Sequence, residues 1–170
     1  CDTDFVGSDG IGGGKFNTPQ DLAAAIEDSW KSTSAGPQQR YVVFTGGEPL
    51  ILLDHWEMLE DIISKDLAKN ITLVYNSNFT TTRYKDVDIQ FLWKQFKKVI
   101  VRCSIDAIGQ PLEYIRSGAT WADIDRNIQY FKTFENIEIR LAPVIGILNL
   151  WFLPDFCEYA INNKLTIEPV

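Results

Sequence analysis

The 170-residue sequence predicts an α/β fold, a curved parallel sheet with helices on one face and an open polar lumen on the other. Three observations carry this. Five short apolar runs alternate with stretches whose apolar residues recur at helical spacing, the order that builds βα units with right-handed crossovers. Four of the strand-like runs have one polar and one apolar face. Arg102, Ser104 and Asp106 oppose Val99, Val101, Cys103 and Ile105, while Asn76 with Asn78, Glu138 with Arg140, and Thr166 with Glu168 each share a face. A parallel strand covered on both sides is apolar on both, and a filled barrel carries bulky apolar residues inside, so the polar face points to a lumen. An antiparallel sheet with a solvated face would also alternate, but it does not call for the intervening helices. Finally, polar clusters recur at three consecutive strand ends: Gly46-Gly47-Glu48, Asn76-Ser77-Asn78 and Ser104-Ile105-Asp106. Ligands of parallel sheets sit at that end.

The elements follow in order. Residues 1–17 are glycine-rich and read as a loop. Gly14-Lys15 suggests a phosphate loop, but Asp9 stands where the first glycine belongs and Phe16 replaces the Ser or Thr. Thr18-Pro19-Gln20-Asp21 starts a helix with a cap, a proline at the first position and an acid in the first turn. Leu22, Ile26 and Trp30 form its apolar stripe. A strand over 40–45 follows, then a helix from Asp54 to Ser64 burying Trp56, Leu59, Ile62 and Ile63. Further strands are expected at 71–75, 98–106, 137–144 and 165–170, and helices at 88–96, 120–134 and 150–162. No repeat or low-complexity block interrupts residues 1–170, which read as a single domain.

Composition narrows the function classes. A net charge of −7 argues against a nucleic-acid surface, and no apolar run approaches the length of a membrane span. The three cysteines, Cys1, Cys103 and Cys157, are odd in number and widely spaced. They form no disulfide framework and suggest a reducing, cytoplasmic setting. Cys103 and Cys157 read as core residues, and His55, at a helix start, as a surface or capping residue. The chain has no initiating Met and opens on a motif already under way, so an N-terminal truncation is expected.

The stretch Tyr41 to Leu50 is the strongest local signal. An apolar strand stops at Gly46 and Gly47, which let the backbone turn and approach a ligand, and Pro49 biases Glu48 away from helical geometry. Backbone carbonyls and the Glu48 carboxylate suit an ammonium group, although an ordinary strand-to-helix turn has the same composition.

Thr45-Gly46-Gly47-Glu48-Pro49-Leu50 resembles the glycine-rich motif of the radical S-adenosylmethionine (SAM) superfamily. The resemblance implies a partial parallel βα barrel, here truncated at both ends, a 4Fe–4S cluster, and reductive cleavage of SAM to a 5′-deoxyadenosyl radical. It implies that Gly46, Gly47, Glu48 and Pro49 hold the SAM amino group, Ser104 and Arg116 its carboxylate, and Asn78 or Asp106 its ribose, with Asn76 also among the cofactor-binding residues. From about residue 70, Ser104-Ile105-Asp106, Glu113 to Gly118, Trp121 and Asn127-Ile128 resemble peptide-modifying or auxiliary-domain (SPASM/twitch-type) members. Ala107 departs from the glycine usual there. The head, Cys1-Asp2-Thr3-Asp4-Phe5-Val6-Gly7 with Gly13-Gly14-Lys15-Phe16, resembles the 7-carboxy-7-deazaguanine synthases, which act on 6-carboxytetrahydropterin. That likeness implies Cys1 as a cluster ligand, its two companions lying upstream, and Thr3 as a magnesium ligand. It implies no residue as an assured catalyst. A small-molecule or peptide substrate, an electron donor such as flavodoxin or ferredoxin, and a homodimer complete the expectation. A non-catalytic βα domain that has lost its cluster is the contrasting reading.

Overall fold

The computed structural model describes residues 4–7, 40–45 and 47–169, together with positions 21, 24, 25 and 28, which are helical. The apolar stripe Leu22, Ile26 and Trp30 lies outside the described residues. Strands β1 (Asp4–Gly7), β2 (Arg40–Thr45), β3 (Ile71–Ser77), β6 (Lys98–Cys103), β7 (Ile137–Leu141) and β8 (Thr166–Ile167) form one sheet in that order. Strands β2, β3, β6, β7 and β8 pair in parallel, and β1 adds antiparallel to β2. The protein is therefore a mixed α/β molecule with a mostly parallel sheet, and the antiparallel alternative for the main strands does not hold. Strand β1 corrects the reading of residues 1–17 as loop throughout. Its apolar centre, Phe5-Val6, is too short to register as a periodic signal, and pairing with the edge of β2 supplies the order.

The chain alternates as expected, because the sequence pattern on one sheet face matches that of the helices. Helix α1 (Leu53–Ser64) buries Trp56, Leu59 and Ile62, and the Trp56 indole N–H donates to the Leu50 carbonyl at 2.9 Å. Helix α4 (Trp121–Phe131) buries Ile124, Ile128 and Phe131, three positions on one stripe. Helix α5 (Leu153–Asn163), with Pro154 in its first turn, buries Phe156 and Ala160. These stripes meet Val42, Phe44, Leu73, Tyr75, Val99, Val101, Cys103, Ile139 and Leu141, all from one side of the sheet, in a continuous core.

Several expected boundaries shift. The helix expected at 88–96 is reduced to α2 (Gln90–Trp93). Asp88 belongs instead to a two-stranded hairpin, β4 (Arg83–Tyr84) and β5 (Val87–Asp88), whose turn places Lys85 at φ 52°. The Asp88 carboxylate accepts from the Gln90 N–H at 3.0 Å, so the helix begins after it. The Asn136 amide, donating to the carbonyls of Trp93 and Phe96, takes acceptors at its far end. A helix not anticipated, α3 (Gly109–Ile115), follows β6; Gly109 starts it at φ 62°, a conformation that disfavours side chains. Ala107 is buried and is absent from the positive-φ positions, so an alanine is unstrained there. The strand expected to reach Asp106 ends at Cys103, and the last strand is limited to Thr166–Ile167.

Two core expectations are also corrected. His55 is 2 % exposed and its Nε2 lies 2.8 Å from the Tyr75 hydroxyl, inside rings from Phe44, Trp56 and Tyr75. The helix-start position suggested solvent, but the buried tyrosine offers the ring a polar partner. Cys103 is buried as expected, and burial pushes its thiol up; Cys157 faces solvent instead, one position beyond the buried Phe156 on α5.

Burial pushes the His55 proton affinity down from its ordinary 6.5 to about 3. The unfolded chain thus takes up that proton first, so the contribution of neutral His55 is whole above 6.5 and is lost as pH falls towards 3. Equilibrium denaturation across this range will show stability declining by roughly 1.4 kcal/mol for each pH unit from this group, and His55→Gln will flatten the slope.

Candidate functional site

Because β2, β3, β6 and β7 run parallel, their C-terminal ends gather along one edge of the sheet. The loops leaving them carry most of the expected site residues. Cys1, Thr3 and Gly46 lie outside the described residues; Gly47, Glu48, Pro49, Asn76, Asn78, Ser104, Asp106 and Arg116 lie within them.

The first knot joins the ends of β2 and β3. One Glu48 carboxylate oxygen, Oε1, accepts from the Ser77 hydroxyl at 2.8 Å and from the Leu50 N–H at 3.3 Å. The other, Oε2, accepts from the Asn78 N–H at 2.8 Å. Leu50 belongs to the single-turn 3-10 helix Pro49–Ile51, so Glu48 is its cap as well as a bridge to the next strand. Burial raises the proton affinity of Glu48, and the bonds from Asn78, Ser77 and Leu50 oppose that rise. Three internal donors thus take up most of the acceptor capacity of this carboxylate.

The β3 end is itself tightly built. Asn78 Oδ1 accepts from both the N–H and hydroxyl of Thr80, at 3.0 and 2.8 Å. Phe79 sits at φ 57°, the left-handed region that non-glycine residues seldom occupy, a cost of about 1–3 kcal/mol. It is kept there by contacts on every side. Its N–H donates to the Ser77 hydroxyl at 2.9 Å, its carbonyl accepts from the Asn127 amide at 2.9 Å, and its ring packs on Phe131. The side chain of Asn76, the register partner of Arg102 on β6, makes no hydrogen bond among the described residues.

The second knot joins the ends of β6 and β7. Asp106 is 7 % exposed. Its Oδ2 accepts from Arg116 Nε at 2.7 Å and its Oδ1 from the Val144 N–H at 2.9 Å. Ser104 continues the β3–β6 ladder through its N–H to the Ser77 carbonyl at 2.8 Å, and its hydroxyl has no partner among the described residues. Arg116, at the end of α3, spends only Nε on Asp106, leaving its terminal nitrogens for an anion. The structure thus brings Asp106 and Arg116 into contact, and joins Glu48 to Ser77 and Asn78.

Away from this edge, the polar sheet face carries a chain of alternating charge. Lys98 pairs with Glu138 at 2.5 Å, Glu138 with Arg140 at 2.6 Å, Arg140 with Glu168 at 3.0 Å and Glu168 with Arg102 at 2.7 Å. Arg102, Glu138, Arg140 and Glu168 are the charged residues whose alternation marked that face in the sequence; Lys98 is added by the structure. Hydrogen bonding to Arg140 is the main cause holding both Glu138 and Glu168 below the usual carboxylate range. Among the described residues no group of three His, Cys, Asp or Glu side chains converges to hold a metal ion. No described helix is long and apolar enough to cross a membrane.

Ser77, Asn127 and Asn149 are site residues that sequence reasoning missed. Ser77 lay inside a flagged cluster, but its role as Glu48 donor depends on a contact across the sheet; Asn127 was noted only as part of a motif.

The chain is 46% identical over 88 residues to the 7-carboxy-7-deazaguanine synthase of Caulobacter vibrioides, covering 52% of this chain and 38% of that protein. It is 48% identical over 80 residues to the enzyme of that name from Bordetella pertussis, 47% of this chain and 34% of that one. Against the Burkholderia multivorans protein of the same name it is 54% identical over 54 residues, 32% of this chain and 24% of that one. The matched region thus spans at most 38% of these curated relatives. No family model matches the chain.

Glu48→Ala leaves the Ser77 hydroxyl and Asn78 N–H without their acceptor and will destabilise the fold by about 2–3 kcal/mol in denaturant titrations, whereas Glu48→Gln, which keeps one acceptor, will cost less. The ion chain has its own signature. Glu138 and Glu168 bind protons more weakly folded than unfolded, so their contribution is present above the ordinary 4.5 and lost as pH falls below it. Arg140→Gln will therefore shallow the acid limb of the stability–pH curve below about pH 4.5.

Proposed function

We propose that this chain is the SAM-binding part of a radical SAM enzyme of the 7-carboxy-7-deazaguanine synthase kind, with the sheet curved as a partial βα barrel. The observation that carries the reading is the 46–54% identity to proteins named for that activity. The strand-end clusters support it, because they offer the donors that a zwitterionic cofactor requires. The consecutive strand order β2-β3-β6-β7-β8, with helices packed on one face, is compatible with curvature towards the polar side.

In this reading the backbone of the Gly46-Gly47 loop accepts from the SAM ammonium, and Glu48 holds that loop rather than the ligand. Arg116, with its terminal nitrogens free, and Ser104, with its hydroxyl free, hold the SAM carboxylate. Asn76, the remaining amide hydrogens of Asn78 and the spare lone pairs of the Asp106 carboxylate are the candidates for the ribose. Bound at a 4Fe–4S cluster held by Cys1 and two upstream thiolates, SAM supplies the radical chemistry. Thr3 contributes to a magnesium site at the substrate. The substrate lies over the polar face, where three cations and two carboxylates are linked in the ion chain. The single excess positive charge suits a carboxylate-bearing pterin such as 6-carboxytetrahydropterin. A flavodoxin- or ferredoxin-type donor supplies the electron, and the enzyme works in the cytoplasm.

The full-length protein, reconstituted anaerobically with iron and sulfide, will bind a brown cluster, release 5′-deoxyadenosine on reduction and consume 6-carboxytetrahydropterin faster with magnesium. Arg116→Ala will raise KM for SAM at least about tenfold. A cluster with no 5′-deoxyadenosine release would sink the enzyme reading. Release without pterin consumption would turn the substrate assignment to the peptide class suggested by residues 104–128.

A further inference from the structure

Asn149 stands outside every motif that the functional reading uses, yet its side chain makes three hydrogen bonds at the sheet's C-terminal edge, as many as Glu48. It is 2 % exposed. Its amide nitrogen donates to the Asp106 carbonyl at 2.9 Å and to the Val144 carbonyl at 2.8 Å, and its oxygen accepts from the Gly146 N–H at 2.7 Å. Both amide hydrogens and one oxygen lone pair are thus committed inside the protein. The segment it closes, Pro143-Val144-Ile145-Gly146-Ile147-Leu148, has no polar side chain of its own. Ile147 is 86% exposed and Leu148 60%. Apolar burial therefore does not hold this loop, and Asn149 is its side-chain anchor.

The anchor reaches the cofactor-binding residues in two bonds. Asn149 fixes the Asp106 main chain directly. It also fixes Val144, whose N–H holds one Asp106 carboxylate oxygen while the other holds Arg116 Nε at 2.7 Å. An arginine held through Nε by an immobilised carboxylate presents its two terminal nitrogens in one direction. We propose that Asn149 is a positioning residue that aims Arg116 at the SAM carboxylate by locking Asp106 between the ends of β6 and β7. This rests on the reading of Arg116 given above.

A binding cycle tests it without turnover. SAM affinity is measured on the anaerobically reconstituted full-length protein in the absence of reductant, for wild type, Asn149→Ala, Arg116→Ala and the double variant, at matched iron content. Asn149→Ala is expected to weaken SAM about tenfold, and the double variant to bind no more weakly than Arg116→Ala alone, because the two residues act through one contact. Asn149→Asp keeps the acceptor for Gly146 and the side-chain volume but loses both donors; it is expected to weaken SAM as Asn149→Ala does, and it serves if the alanine variant does not fold. Amide exchange at Val144 and Gly146 should accelerate in Asn149→Ala. An undiminished loss on the Arg116→Ala background, or wild-type affinity in Asn149→Ala, overturns the inference while leaving the functional reading intact. Wild-type protein that carries its cluster and binds no SAM overturns both.

Discussion

A buried carboxylate sets the geometry of the ligand edge. Glu48 lies between two strand ends, and withdrawal from water raises its proton affinity against the pull of its three donors. Such a group is tolerable only while its partners stay in place. Its bonds therefore constrain three things together: the single helical turn that leads into α1, the direction in which β3 ends, and the hydroxyl of Ser77, which in turn supports the strained Phe79. The equivalent device on the other side is Asp106, also buried, also with both oxygens taken. Both carboxylates thus serve to build this edge of the sheet.

The division of the sheet into faces follows from the same economy of burial. One face meets amphipathic helices and carries the continuous apolar core. The other carries lysine, arginine and glutamate that satisfy one another across β6, β7 and the segment after β8. Partly exposed ion pairs of this sort contribute modestly to stability, but they hold long side chains in fixed positions along a surface that a small charged molecule can approach.

Much of this was legible in the sequence, for identifiable reasons. The strands around Val42–Phe44, Leu73–Tyr75, Val99–Cys103 and Ile137–Leu141 carry a strong apolar signal, and α1 and α4 show clear stripes. Once the main strands are parallel, the ends at Glu48, Asn78 and Ser104 must share an edge, so the candidate site was readable as a grouping. What escaped depends on contacts distant along the chain. Strand β1 is ordered by pairing with β2, not by its own four residues. The short α2 is bounded by Asp88 and by Asn136, some forty residues further on. His55 looks like a surface residue until Tyr75 is placed beside it, and Cys157 looks like core until the helix is rotated about Phe156. The resemblance of the head to the deazaguanine synthases agrees with the names of these relatives, while the peptide-modifying likeness of the tail finds no counterpart among them.

The strand order bears on how the molecule comes to be folded. In β2-β3-β6-β7-β8 every parallel strand pairs with the one made just before it in the same sheet. No strand has to be inserted between two that have already met. The sheet can therefore be laid down in the order in which the chain is synthesised, each new crossover docking on an edge that already exists. The hydrogen-bond knots at the ligand edge then close one after another, Glu48 when β3 arrives and Asp106 only when β7 and its loop are in place. The contacts that fix Asp106, and through it Arg116, close with the loop after β7, once the first parallel strands have met and before α5 and β8 are added.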